Sequence, residues 1–330
     1  MTLRGSLVTL RHESRVLRGN ALRDPHVRDL HVYLPPSYDG KRRFPLVFVL
    51  TGFTGRGASL LNARPWLPSL PEQLEKLRAR EMIFAFPDCF TRYGGSQYLD
   101  SSATGRYEQY VARELVRFVD ARFRTIPRAV ARAVMGKSSG GYGALRLGMR
   151  RPDVFGLVAC HSGDLYFDYC YWNDFPKYLG GLPRHGGSTR AFLRKFAAAP
   201  KKTGEMVTMM NIAAMAACYS PNPRAPLGFD LPFDERTGEV RAAVWRRWKA
   251  HDPIAMLPRH AEALRALRLL FIDCGTRDEY SLHFGARIFA ERLRTLRIPH
   301  VHEEFDDGHM DIAYRYDRSI ALIARRIATR

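Results

Sequence analysis

The residues best suited to do chemistry in this chain lie in Gly136-Lys137-Ser138-Ser139-Gly140, continued by Gly141-Tyr142-Gly143. The spacing fits G-x-S-x-G, a motif in which a buried strand ends in a sharp turn and a helix begins at once. A serine at the tip of such a turn exposes its hydroxyl at a sheet edge, and only small residues fit around it. That hydroxyl can attack an acyl carbon if a base takes its proton and an acid orients the base. So short a pattern arises often by chance, so its meaning depends on partners elsewhere in the chain.

Eleven histidines are available. His309 stands out because Gly308-His309 follows the last strand-like run, and a glycine permits a tight loop that turns an imidazole toward the sheet edge. Without the serine motif it would read as a solvent-facing loop histidine. The acid is expected after an intermediate strand, in Asp273-Cys274-Gly275-Thr276-Arg277-Asp278-Glu279. Asp278 lies in the loop and can reach a histidine. Glu279 is the near alternative, and Asp273, inside the strand, is expected to make a structural hydrogen bond. Asp306, Asp307 and Asp311 are weaker candidates, because sequence neighbours seldom reach the imidazole. The order Ser138, Asp278, His309 is the one expected of α/β-hydrolases. An oxyanion needs two fixed N–H donors. One is expected from Ser139, the other from Phe53, with Thr54 second, in the loop Thr51-Gly52-Phe53-Thr54-Gly55.

These residues need strands to hold them. Phe44–Leu50 is a continuous apolar run that suits a strand buried on both faces, and Met82–Pro87, Phe155–His161 and Leu269–Cys274 read as further strands of the sheet. Ser6–Leu10 and Val27–Leu34 alternate, as half-buried strands do, and His300–Phe305 is a last strand. Helical runs are expected near 70–80, 107–122, 189–198, 204–219, 282–297 and 312–328, and after the serine up to about Arg150. Strands alternating with helices imply a mainly parallel sheet covered on both faces. In such sheets sites form at the carboxyl ends of strands, where each candidate falls. Between 164 and 250 the alternation breaks. That segment is expected to be a cap inserted within a single domain spanning 1–330. Its aromatic cluster, including Tyr166 and Trp172, reads equally as an acyl or aryl pocket or as core. Gly94–Tyr98, with Tyr98, reads equally as cleft lining or as loop packing. Met206, Met209, Met210 and Met215 read as helical core, and His161-Ser162-Gly163-Asp164 as a strand end entering the cap.

The chain has 330 residues, enough for a large core, and a net charge of +19 with only eight lysines among 52 basic residues. Charge spread this widely reads first as a solvated arginine-biased surface. No motif supports a nucleic-acid partner, and none is expected. No segment approaches the roughly 20 apolar residues of a membrane span. No apolar leader opens the chain, so the expected compartment is the cytoplasm. The five cysteines lack metal-type spacing and are expected to be reduced. No metal and no cofactor are implied, and a homo-oligomer is compatible with the sequence.

The chain resembles the esterase D-type family of α/β-hydrolases, which includes S-formylglutathione hydrolases, feruloyl- and enterochelin-type esterases, and mycolyltransferases. The resemblance rests on Val32–Pro36, Gly52–Gly55, Gly95–Tyr98, Tyr107–Tyr110, Gly136–Leu145, Gly275–Asp278 and Asp307–His309. It implies an α/β-hydrolase fold, a Ser138–Asp278–His309 triad, and oxyanion donors at Phe53 and Ser139. Lys137 departs from the pattern, since histidine or leucine is common there, and 164–250 matches no subfamily of known substrate. The expectation is a serine carboxylesterase acting on a small-molecule ester. Thioester hydrolysis or acyl transfer by the same triad is the nearest alternative. A catalytically idle hydrolase fold used for binding is the alternative from another class.

Overall fold

The computed structural model describes residues 3–62, 66–77 and 81–329. Each expected strand forms: β1 (Ser6–Glu13), β2 (Val27–Leu34), β3 (Leu46–Leu50), β4 (Ile83–Pro87), β5 (Arg132–Lys137), β6 (Leu157–His161), β7 (Leu269–Gly275) and β8 (Val301–Phe305). They form one sheet in the order β1-β2-β4-β3-β5-β6-β7-β8. β2 runs antiparallel to β1 and to β4, and the remaining pairs are parallel.

Side chains alternate between the two faces of a strand, and here both faces are covered. Phe48, Leu50, Val134, Val158 and Ile272 enter one core, while Val47, Val49, Met135, Ala159 and Phe271 enter the other. The second face is closed by helices α1 (Leu70–Lys76) and α11 (Arg315–Arg326), through Leu70, Leu74, Tyr316, Ile320 and Ile323. Each such apolar side chain contributes about 1.5–3 kcal/mol when fully buried. The first face carries α2 (Val116–Arg122), α3 (Ser139–Arg150), α9 (Pro253–Arg265) and α10 (Leu282–Thr295).

Between β6 and α9 lie α4 (Phe167–Cys170), α5 (Phe175–Gly181), α6 (Thr189–Ala198), α7 (Gly204–Tyr219) and α8 (Ala242–Lys249). Helix α7 is apolar on nearly all sides, and Met206, Met209, Met210 and Met215 are all buried in it. A helix of that composition belongs inside a core.

The helices α8 and α9 depart from the reading of the sequence, which left 220–268 without helices. Helix α8 is short, only eight residues, and Pro258 inside α9 weakens its periodic signal. The loop 88–106 also holds two short antiparallel ladders, Phe90–Thr91 with Gly94–Gly95 and Asp100–Ser101 with Gly105–Arg106. The helical run of 107–122 is interrupted by a π turn over Tyr110–Leu115. Of the helix expected near 70–80, residues 78–80 lie outside those described. All five cysteines are free and buried.

Register fixes where the loops emerge. Leu50 pairs with Gly136, Cys160 with Gly136, His161 with Asp273, and Gly275 with Phe305. The carboxyl ends of β3, β5, β6, β7 and β8 therefore reach one edge together. The loops starting at Thr51, Ser138, Ser162, Thr276 and Asp306 all leave from that edge.

Candidate active site

Ser138 caps β5 with φ 59° and ψ −129°, a strained conformation for a non-glycine residue. The turn is held from both sides. The Ser138 N–H donates to the His161 carbonyl at the end of β6 (2.9 Å), and the Tyr142 N–H donates to the Ser138 carbonyl (2.9 Å). Glycine is required beside it: a Cβ on Gly140 would lie 2.2 Å from the Leu50 carbonyl oxygen, and one on Gly136 would lie 2.5 Å from the same atom.

The strand-end loops bring three side chains into line. Ser138 Oγ is 3.0 Å from His309 Nε2, and His309 Nδ1 is 2.7 Å from Asp278 Oδ2. Asp278 and His309 are both buried. The other oxygen of Asp278 accepts the Tyr280 N–H at 2.9 Å and the Leu282 N–H at 3.4 Å. Burial pushes the Asp278 carboxyl up, but the His309 contact and these N–H groups outweigh it and hold it below the ordinary carboxylate value. Glu279 does not touch the imidazole; its carboxylate accepts the His309 backbone N–H at 2.6 Å and so fixes the loop. The Tyr280 ring packs edge-on against the imidazole with ring centres 4.8 Å apart.

Gly52 faces the nucleophile so closely that a Cβ there would lie 3.4 Å from Ser138 Cβ. The Gly55 N–H donates to the Gly52 carbonyl at 3.0 Å, closing a turn with Phe53 and Thr54 at its tip. Ser139 opens α3, so its N–H belongs to the unpaired first turn of a helix. Phe53, Thr54 and Ser139 line the same cavity of about 240 Å³ as Ser138 and His309. Larger surface hollows exist, such as one of about 530 Å³ lined by Arg28 and Asp88, but that one contains no nucleophile beside a base.

The three residues expected to bind substrate fall elsewhere. Tyr98 is buried and donates its hydroxyl to the Thr51 carbonyl at 2.6 Å, bracing the glycine loop from behind. Tyr166 packs on Tyr169, and Trp172 stacks on Phe175, so neither ring lines the cavity. Tyr171 and Tyr280 do, together with Val207, Thr208 and Asn211 from α7. Sequence reasoning passed over Val207, Thr208 and Asn211 because α7 reads as helical core, whereas Tyr171 belongs to the aromatic cluster it offered as a pocket. Lys137 also lines the cavity. Burial lowers the pKa of its ammonium, against the pull of Asp278, Asp311, Glu279 and Asp164.

A second Ser–His–Asp set lies under the sheet edge. His161 Nδ1 is 2.7 Å from Asp273 Oδ1, and His161 Nε2 is 2.8 Å from Ser319 Oγ. All three residues are buried, and Asp273 also accepts from Arg315 Nε at 2.9 Å. These bonds tie β6, β7 and α11 together, and the His161 carbonyl is the group that holds Ser138.

The strand order, the strained serine at the end of β5 and the parallel core define an α/β-hydrolase fold. The family model described as "Putative esterase" matches residues 25–316, and the chain belongs to that family. Among solved structures it is similar to a ferulic acid esterase, with 18% identity, 99% of this chain and 100% of that chain covered, and a TM-score of 0.62. An S-formylglutathione hydrolase from Agrobacterium tumefaciens is 17% identical over 99% of this chain and 98% of that one, with a TM-score of 0.62. The fluorophosphonate-binding serine hydrolase F of Staphylococcus aureus is 14% identical over 97% and 98%, with a TM-score of 0.61. No curated protein matches the sequence. Among the described residues, no helix is long and apolar enough to cross a membrane.

Proposed function

We propose that the protein is a serine carboxylesterase that works through an acyl-enzyme on Ser138. The observation that carries this reading is the continuous chain from Ser138 Oγ through both nitrogens of His309 to Asp278. His309 Nε2 takes the Ser138 proton as Oγ bonds to the ester carbonyl carbon. Asp278 holds the imidazole by Nδ1 and stabilises the imidazolium that forms. The carbonyl oxygen becomes an oxyanion and accepts from the N–H groups of Phe53 and Ser139. Each such donor is worth about 3–4 kcal/mol in the transition state. The tetrahedral centre collapses, the C–O bond to the alcohol breaks, and His309 gives its proton to the leaving oxygen. Water then adds to the acyl-enzyme by the same route, its proton passing to His309 and on to Ser138 Oγ as the acid leaves.

The small cavity suits a short acyl or alcohol group. Segment 164–250 is read as a cap on a single domain, because Val207, Thr208 and Asn211 close the wall near Ser138. The test is hydrolysis of a short p-nitrophenyl ester by wild type and by Ser138→Ala. The variant should lose turnover by a factor of about 10⁶; turnover within tenfold of wild type would refute the assignment.

A further inference from the structure

Asp164 is buried in the cavity wall beside the nucleophile turn, on the loop that leaves β6. Its hydrogen bonds all fall on one oxygen. Oδ2 accepts from Gln97 Nε2 (2.9 Å) and from the Tyr171 hydroxyl (2.9 Å), with the Ser139 hydroxyl at 3.5 Å. Among the described residues Oδ1 has no partner. Two donors on Oδ2 mean that this oxygen carries no proton. Burial raises the Asp164 pKa above the ordinary carboxylate value, and the Gln97 and Tyr171 bonds offset only part of that rise.

The surroundings are built to hold this carboxylate still. Gln97 Nε2 also reaches the Tyr219 hydroxyl at 2.8 Å, and Gln97 sits at φ 51°, in the left-handed region. Tyr171 is wedged edge-on against Phe167 and Trp248. The triad does not need Asp164, and its Oδ1, unlike the neighbouring Gln97 Oε1, is not sealed away from solvent, so a donor inside the cavity can reach it. Ser139 directly follows the nucleophile, so a group only a few bonds from the reacting carbonyl can reach this acid.

We propose that Asp164 Oδ1 selects the substrate, accepting a hydrogen bond from a hydroxyl group carried a few bonds from the scissile ester carbonyl. Lys137 already stands in the same wall as the cation facing its carboxylates, Asp164 among them, so an uncharged donor fits better than a second ammonium. This rests on the serine esterase reading, which hydrolysis of unsubstituted esters tests separately.

The experiment compares kcat/KM for matched hydroxy and methoxy esters. The hydroxyl is placed in the acyl half (p-nitrophenyl 3-hydroxybutanoate) or in the alcohol half (2-hydroxyethyl butanoate), each beside its methyl ether. Wild type should favour the hydroxy ester of one pair by roughly 10- to 100-fold, the range of a bond to a charged group. In Asp164→Asn, Gln97 and Tyr171 keep the amide oxygen on their side and turn the NH₂ to the cavity. The preference should then fall to about one or invert toward the ether. A merely structural role would slow both esters alike and leave the ratio intact. An unchanged ratio in the variant overturns the proposal. So does a wild type that favours neither hydroxy ester, or that favours p-nitrophenyl 3-aminobutanoate over the hydroxy ester, and these outcomes need no folded variant.

Discussion

His309 Nε2 lies 3.0 Å from Ser138 Oγ although 171 residues separate them in the chain. The contact exists because β5 and β8 end at the same sheet edge, with β6 and β7 between them. Nothing local in either segment requires it.

The acid behind that contact can be tested alone. Asp278→Asn keeps the side-chain volume but presents an amide to Nδ1 and favours the wrong tautomer. We predict a fall in kcat of about 10⁴-fold on a short p-nitrophenyl ester. Glu279→Gln removes only charge from the bond to the His309 N–H. Because Glu279 is exposed and glutamine can still accept the bond, it should cost stability of about 1 kcal/mol or less and far less activity. Steady-state kinetics with urea unfolding of both variants separates the two roles.

The second Ser–His–Asp set should behave as a structural pin. Ser319→Ala leaves His161 Nε2 buried without a partner and should cost about 1–3 kcal/mol in chemical denaturation. The folded variant should still react with a fluorophosphonate, because Ser319 is fully buried. Loss of labelling in a folded Ser319→Ala protein would contradict this division.

Gly140→Ala tests the turn. The added methyl would meet the Leu50 carbonyl at 2.2 Å, and the backbone must shift to relieve it. We expect a loss of about 1–3 kcal/mol together with a larger loss of turnover than of stability, read from kcat beside a melting curve.

A stability change in mild acid is also expected. Burial lowers the pKa of His251 from 6.5 to about 4, helped by Arg146, Arg150 and Arg247. The folded state therefore resists protonation that the unfolded chain accepts. Above pH 6.5 both states are neutral at this site and it contributes no pH dependence. As pH falls from 6.5 toward 4 the unfolded chain gains a proton and stability drops, by on the order of 3 kcal/mol in full. His251→Phe, which keeps a ring against Tyr219, should flatten that part of the unfolding free energy–pH profile.

The fold was largely legible in the sequence, because strands buried on both faces leave unbroken apolar runs such as Leu46–Leu50 and Leu269–Ile272. Ser138, Asp278 and His309 could be nominated because each follows a strand and carries a glycine nearby. The cavity wall was not legible. Tyr98, Tyr166, Tyr171 and Trp172 share one composition, and which ring faces Ser138 depends on how α4, α5, α7 and α8 pack. Asp164 was passed over for the same reason: its sequence neighbours suggest a strand end, while its partner Gln97 lies 67 residues away in the chain. Helix α9 was missed because Pro258 dilutes the periodicity.

The central claim is that Ser138 is the nucleophile. Its most direct test is peptide mass spectrometry of the wild-type protein after reaction with a fluorophosphonate. The account predicts one adduct per chain, on the peptide that holds Ser138, absent from Ser138→Ala. An adduct on any other serine, or the same adduct on the Ser138→Ala protein, would contradict it.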